Sequence, residues 1–339
     1  MRQAVMVEPG KIEFSDVPEP TYGDNEILLR IMRIGVCGSD IHVWHGKHPY
    51  TSYPVVQGHE FSAEVKAAGK NVTAVHAGMK ATARPQVVCG VCPPCTRGDY
   101  HICDELKVEG FQTSGVAQDL FVTTEDKIVP FPDSLSYEDG ALVEPTSVGV
   151  HSTGRAGHLT DKNVVVLGAG TIGNLIAQVA HCRGAKKILI TDISDFRLDI
   201  ARQCGITETS NANQEKLAEA SQRVFGNEGF EVAFEAAGVE STINDAIQNI
   251  EKGGTVMVVG VYGDFPKVDM STMSDHELRL IGTLMYKHED YQMAVELIAD
   301  GKVNTKPLVT RHFPFEEYNE AYAFIENQGD KTMKVMIDL

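Results

Sequence analysis

Val164-Val165-Val166-Leu167-Gly168-Ala169-Gly170-Thr171-Ile172-Gly173 decides the fold of this chain. Four aliphatic residues in a row read as a strand buried on both faces, and they lead directly into G-x-G-x-x-G. An apolar helix follows, from Thr171 to about Arg183, so the glycines lie between a strand and a helix start. In that context Gly168 permits the tight turn, and Gly170 lets backbone approach a pyrophosphate. Gly173 lets helix and strand pack closely, while Thr171 and Ile172 open a helix N-terminus that favours anions.

Outward from this loop the pattern repeats. Ile188-Leu189-Ile190-Thr191 forms a second strand, ending in Asp192, 19 positions after Gly173. An acidic group there holds a ribose diol and repels a 2′-phosphate, which selects NAD over NADP. Arg197 is close enough in sequence to stack on adenine or to soften that preference. That second strand is expected over Lys187–Thr191, with further strands at Phe230–Phe234 and Thr255–Val259 and helical segments between them. Alternating strands and helices specify an α/β fold with a doubly wound parallel sheet over residues 151–285. Residues 1–150 have another texture: β-type runs such as Glu26–Ile31 and Phe61–Val65, separated by Gly, Pro and Asn. After residue 285 come helices near 289–299 and 316–326 and a short strand at Lys334–Ile337.

The β-rich region carries the metal signals. Cys89, Cys92, Cys95 and Cys103 place four thiols between positions 89 and 103, with Gly90, Pro93, Pro94 and Gly98 shaping the turns. That density suits a closed tetrahedral zinc site; an iron–sulfur run would have a shorter last spacing and a following proline. A second constellation is looser. Cys37-Gly38-Ser39-Asp40-Ile41-His42, Gly58-His59-Glu60 and Glu144-Pro145 offer a thiolate, an imidazole and carboxylates, leaving a fourth zinc position for water or substrate. A Lewis acid beside a hydride acceptor makes a coherent reaction centre.

Composition narrows the classes. In 339 residues, 30 basic and 47 acidic side chains leave a formal charge of −17, which repels phosphate backbones and anionic lipid surfaces. Nucleic-acid and membrane-surface roles are therefore not expected. The N-terminus shows no apolar signal core, and the clustered cysteines suit metal more than disulfides, so the expected compartment is cytoplasmic.

These motifs together resemble the zinc-containing medium-chain alcohol dehydrogenases, most closely the sorbitol (polyol) branch. The resemblance spans nearly the whole chain and includes Gly35-Val36-Cys37-Gly38-Ser39-Asp40 and Lys306-Pro307-Leu308-Val309-Thr310. It implies a GroES-like catalytic domain (residues 1–150, completed by 286–339) interrupted by a Rossmann domain. It also implies two zinc ions and NAD. Cys37, His59 and either Glu60 or Glu144 would hold the catalytic zinc, with Asp40 orienting His59. Ser39 would take the alcohol proton, His42 would relay it, and Phe111 and Tyr286 would line the substrate pocket. Val43 and Met285 stand where the polyol enzymes often carry a tyrosine and an arginine.

The implied reaction is oxidation of a secondary alcohol of a sugar alcohol to a ketose. Alternative substrates are an aldonic acid such as a hexonate, or L-threonine; either needs a cationic clamp, for which Arg84 and Lys287 are candidates. A non-catalytic NAD-binding protein would have no need of the full zinc set. Tetramers are usual in the polyol branch. The segments Thr255–Val259 and Leu278–Leu284, toward one side of the sheet, give a homotetramer independent support, since a sheet edge must be paired or covered.

Overall fold

All five residues of the strand Asn163–Leu167 (β1) are buried in the computed structural model, which describes residues 1–339. Five parallel strands join it: Lys187–Asp192 (β2), Glu208–Asn211 (β3), Val232–Glu235 (β4), Thr255–Val258 (β5) and Arg279–Gly282 (β6). Their spatial order is β3-β2-β1-β4-β5-β6, so chain direction across the sheet reverses between β1 and β4. That reversal places a crevice at the carboxyl ends of the two central strands, where open α/β sheets take dinucleotides. The helix Thr171–Cys182 buries Leu175, Ile176, Ala177, Val179 and Ala180, which is why it reads as apolar almost all round.

Two compact units divide the chain. Pro145–Tyr286 and Gly301–Leu308 form the one around the parallel sheet, and Met1–Glu144, Lys287–Asp300 and Val309–Leu339 form the other. These limits differ from the sequence reading, which assigned 145–150, 286 and 301–308 to the first domain. Hydrogen bonding explains the last segment: Asn304 N donates to Gln178 Oε1 (2.7 Å), and Gln178 Nε2 donates back to Asn304 O (3.3 Å). Residues 145–150 belong to the helix Val143–Arg155, whose Gly149 lies against Leu175 backbone so closely that a Cβ would stand 3.3 Å from it.

The unit that holds Met1–Glu144 is built on a seven-stranded sheet. Its order is Val309–Pro314, Lys334–Asp338, Glu26–Val36, Glu60–Ala68, Lys80–Ala83 and Ile128–Pro130, with Leu120–Thr124 also paired to Glu26–Val36. The C-terminal strand pairs antiparallel with Glu26–Val36, setting Val335 opposite Val36 and Met336 opposite Gly35. Thus the last residues of the chain lie beside the segment that leads into Cys37.

Candidate functional site

The strand Glu26–Val36 ends one residue before Cys37, and the helix Gly38–Trp44 begins one residue after it. Cys37 caps that helix, and its backbone N–H donates to Asp40 Oδ2 (2.9 Å). The other oxygen, Asp40 Oδ1, lies 3.6 Å from Nδ1 of His59, and both side chains are buried. His59 and Glu60 sit where Glu60–Ala68 starts, and Glu60 pairs with Gly35 across the sheet. The fold therefore assembles Cys37, His59 and Glu60 from two segments, with one ligand atom from each inside a 4.8 Å group. Burial alone would lower the His59 pKa, but the charge and hydrogen bonding of Asp40, followed by Cys37, raise it well above the ordinary value. The pocket is built to hold positive charge. With one soft thiolate, an imidazole whose Nδ1 faces Asp40 and so leaves its other nitrogen for a metal, and a carboxylate, it fits a zinc ion.

Glu144 is buried in the same unit but stands outside that group; its charge is among those acting on Lys334. Ser39 Oγ lies 3.7 Å from Cys37 Sγ, and His42 follows three residues later on the same helix, its ring toward solvent. Phe111 packs against His59, with ring centroids 4.9 Å apart, and stacks on His48 at 4.6 Å. Tyr286 is the last residue of the other unit's long segment and is fully buried, so it offers no surface to a substrate. The sequence reading placed it in the pocket; its full burial does not support that. Val43 is also fully buried, and Met285 is held at φ +52°, a conformation that disfavours a side chain.

Sequence reasoning missed Lys334. Its ammonium is buried and donates to Glu60 Oε2 (2.5 Å), Glu60 Oε1 (2.8 Å) and Val36 O (3.1 Å). Burial would lower its pKa, yet the negative charges of Glu60 and Cys37 hold it above the ordinary lysine value. A Cβ at Gly35 would stand 2.4 Å from Glu60 Oε2 and 3.3 Å from Lys334 Cδ, so that glycine makes room for the ion pair. The available signal was a single lysine heading the apolar run Val335-Met336-Ile337.

The four-cysteine lobe closes as its spacing suggests. Cys103 Sγ lies 3.6 Å from Cys89 Sγ and 3.8 Å from Cys92 Sγ. A tetrahedral zinc with ~2.3 Å bonds to sulfur has edges of about 3.8 Å. Backbone N–H groups of Cys89, Cys92 and Glu105 also point at these sulfurs, as suits thiolates.

In the other unit the three loop glycines have different reasons. Gly168 adopts φ +103°, and a Cβ on Gly173 would fall 1.8 Å from Gly168 O. Gly170 has φ −65° and meets no protein atom within 4 Å, so only the close approach of a ligand requires it to be glycine. Thr171 and Ile172 form the first turn of the helix behind it. Asp192 is buried; Ala169 N donates to its Oδ2 (2.7 Å) and Ser194 N to its Oδ1 (2.9 Å). Arg197 Nη1 is 3.9 Å from Asp192 Oδ2. The arrangement fits a dinucleotide, with the carboxylate fixed at the tip of β2.

Beside Phe111 a cavity of about 560 Å³ is lined by Tyr50, Ser52, Gln112, Thr113 and Ser114 among others, all neutral. The two cations considered for a carboxylate clamp are already engaged. Lys287 pairs with Asp99 (3.0 Å), and buried Arg84 donates to Asp126 O (2.6 Å) and lies over the Tyr100 ring.

Comparison with known proteins agrees with this geometry. Residues 23–133 match the alcohol dehydrogenase GroES-like domain, and residues 171–300 match the zinc-binding dehydrogenase family. The chain is 35% identical to sorbitol dehydrogenase 2 of Saccharomyces cerevisiae over 98% of this chain and 96% of that protein. It is 32% identical to the L-threonine 3-dehydrogenase of Rhizobium etli, over 95% of this chain and 94% of that protein. Galactitol-1-phosphate dehydrogenase from Escherichia coli superposes with a TM-score of 0.91 at 28% identity, covering 100% of both chains. Two metal-ligand clusters, a dinucleotide loop and this full-length likeness place the chain in the zinc-dependent alcohol dehydrogenase family of oxidoreductases, near its polyol dehydrogenases.

Proposed function

We propose that the chain oxidises a secondary alcohol of a polyol, such as sorbitol or xylitol, to a ketose, using zinc and NAD. The observation that carries the choice of substrate is that the two candidate clamp cations, Lys287 and Arg84, are committed to Asp99 and Asp126, while the cavity beside Phe111 is lined by uncharged residues, polar and apolar in similar number. A hexonate or threonine carboxylate would have to displace one of those partners, whereas a polyol needs only hydrogen bonds. The 35% identity to a sorbitol dehydrogenase supports the same choice.

Cys37, His59 and one of Glu60 and Glu144 would hold the catalytic zinc, and Cys89, Cys92, Cys95 and Cys103 the structural one. Bound at those sites, zinc supplies the Lewis acid and NAD the hydride acceptor. Ser39 accepts the alcohol proton, and His42, one turn on and exposed, passes it to solvent. Asp40 keeps the His59 ring oriented, and Lys334 fixes the position of Glu60 through their buried ion pair. Gly168, Gly170 and Gly173 shape the pyrophosphate cradle, Thr171 and Ile172 lend their helix terminus, and Asp192 takes the adenosine ribose with Arg197 beside it.

No helix is long and apolar enough to cross a membrane. The clustering of four cysteines into one metal-ligand group supports a reducing, cytoplasmic setting. β6 pairs on one side only and exposes Leu280, which supports self-association, as a homotetramer in our reading.

The test is NADH formation, followed by absorbance, over a panel of polyols, aldonates and threonine. Turnover of one or more polyols above all aldonates and threonine is expected. A preference for a carboxylate-bearing substrate would overturn the polyol assignment, and no turnover of any alcohol would overturn the catalytic reading.

A further inference from the structure

Glu235 ends β4, on the far side of the crevice from Asp192, and its side chain is fully buried. No step above uses it. Four donors converge on its carboxylate: Ala237 N (3.0 Å), Gly238 N (2.8 Å) and Thr242 Oγ1 (2.7 Å) on Oε1, and Tyr262 OH (2.8 Å) on Oε2. The first three belong to the turn and helix start after β4, and the fourth to the segment after β5. One carboxylate therefore ties together the two chain segments that leave the carboxyl ends of neighbouring strands.

Those segments are packed onto the dinucleotide loop. A Cβ on Gly168 would stand 3.0 Å from Ala237 N, and one on Gly238 would stand 2.5 Å from Val261 O. Ala236 N donates to Leu167 O (2.8 Å), the residue just before the loop. A dinucleotide lies across the switch point of such a sheet, so if Asp192 on β2 holds the adenosine ribose, the other half falls over β4 and β5. The tyrosine is drawn into the same network: burial and then Glu235 hold its phenol well above the ordinary range, so it stays a donor.

Resting on the NAD reading above, we infer that Glu235 is a positioning residue for the nicotinamide half of the cofactor, acting through the turn Ala236–Gly238 and Tyr262. It touches no reacting atom. It sets the height of the backbone on which the nicotinamide end rests, while the adenosine end is set separately by Asp192.

The experiment is calorimetric titration of the purified, full-length zinc-loaded protein with NAD⁺ and with AMP. For Glu235→Ala, NAD⁺ binding weakens about tenfold or more while AMP binding stays within about twofold, since charged hydrogen bonds are lost on one side of the crevice only. Glu235→Gln largely restores NAD⁺ binding, because its amide keeps an acceptor for the turn and a polar partner for Tyr262. Should the alanine variant fail to fold, Tyr262→Phe removes one donor and leaves the turn, with NAD⁺ weakened about threefold and AMP unchanged. Equal weakening of NAD⁺ and AMP, or unchanged NAD⁺ binding in Glu235→Ala and Tyr262→Phe, overturns the inference alone. Wild-type protein that binds no NAD⁺ overturns the cofactor reading and this inference with it.

Discussion

At the scale of single residues, the proposed catalytic zinc site depends on charges that are unfavourable unless paired. Glu60 and Lys334 are both buried, and each is the other's counter-ion. Lys334→Met leaves a carboxylate without its cation in a buried setting and is expected to cost about 3–5 kcal/mol of stability, measured by urea unfolding. An unchanged midpoint would mean that Glu60 finds another partner at once. Asp192 is the corresponding single point in the cofactor loop. Asp192→Ser removes the charge that repels a 2′-phosphate, so the ratio of turnover with NADP to turnover with NAD should rise by about tenfold or more. A wild-type enzyme already preferring NADP would refute that role. Asp40, as the residue that orients His59, and Glu60, as one of two candidate zinc carboxylates, could both be picked out in the sequence. Lys334 could not, because a lysine near the chain end carries no local sign that a strand will fold it against residue 60.

At the scale of elements, the four-cysteine lobe is more than a local knot. Between its third and fourth cysteines lie Asp99, which pairs with Lys287, and Tyr100, whose hydroxyl accepts from His288 N at 2.7 Å. Lys287 caps the helix His288–Ala299, so the lobe secures the start of a helix nearly 190 positions further on. The four-thiolate site is closed, whereas the proposed mixed site keeps a position open for exchange. Chelators should therefore remove the catalytic zinc first, with loss of activity and little change in Tm, as followed by metal analysis. Cys95→Ser should instead lower Tm by about 5–10 °C while NAD⁺ binding persists. If activity fell only when the lobe lost its metal, this division of roles would be wrong. Elements with a clean pattern were legible from sequence: β1, β2, β5 and the helix Thr171–Cys182 lie where expected. β3 was not, since Glu208-Thr209-Ser210-Asn211 is polar and becomes a strand only by pairing with β2.

At the scale of the whole molecule, association turns on one exposed sheet edge. β6 is a sheet edge with Leu280 exposed and Leu284 exposed just beyond it. Light scattering should return a multiple of 37.0 kDa, a tetramer in our reading, and Leu280→Lys should shift the distribution toward smaller species. A wild-type monomer over a wide concentration range would refute the association and leave the single-chain sites intact. The sequence by itself determined whatever depends on near neighbours: the glycine loop between strand and helix, the cysteine lobe and the cysteine–histidine–carboxylate set. In each, spacing along the chain stands in for geometry. Only the tertiary structure decided which partners meet across large separations: Lys334 with Glu60, Lys287 with Asp99, and Gly301–Leu308 with the dinucleotide unit rather than with the segments flanking it. The physical reason is that such contacts are set by strand register and burial, which sum over the whole core and leave no periodic mark on the short stretch that carries each residue.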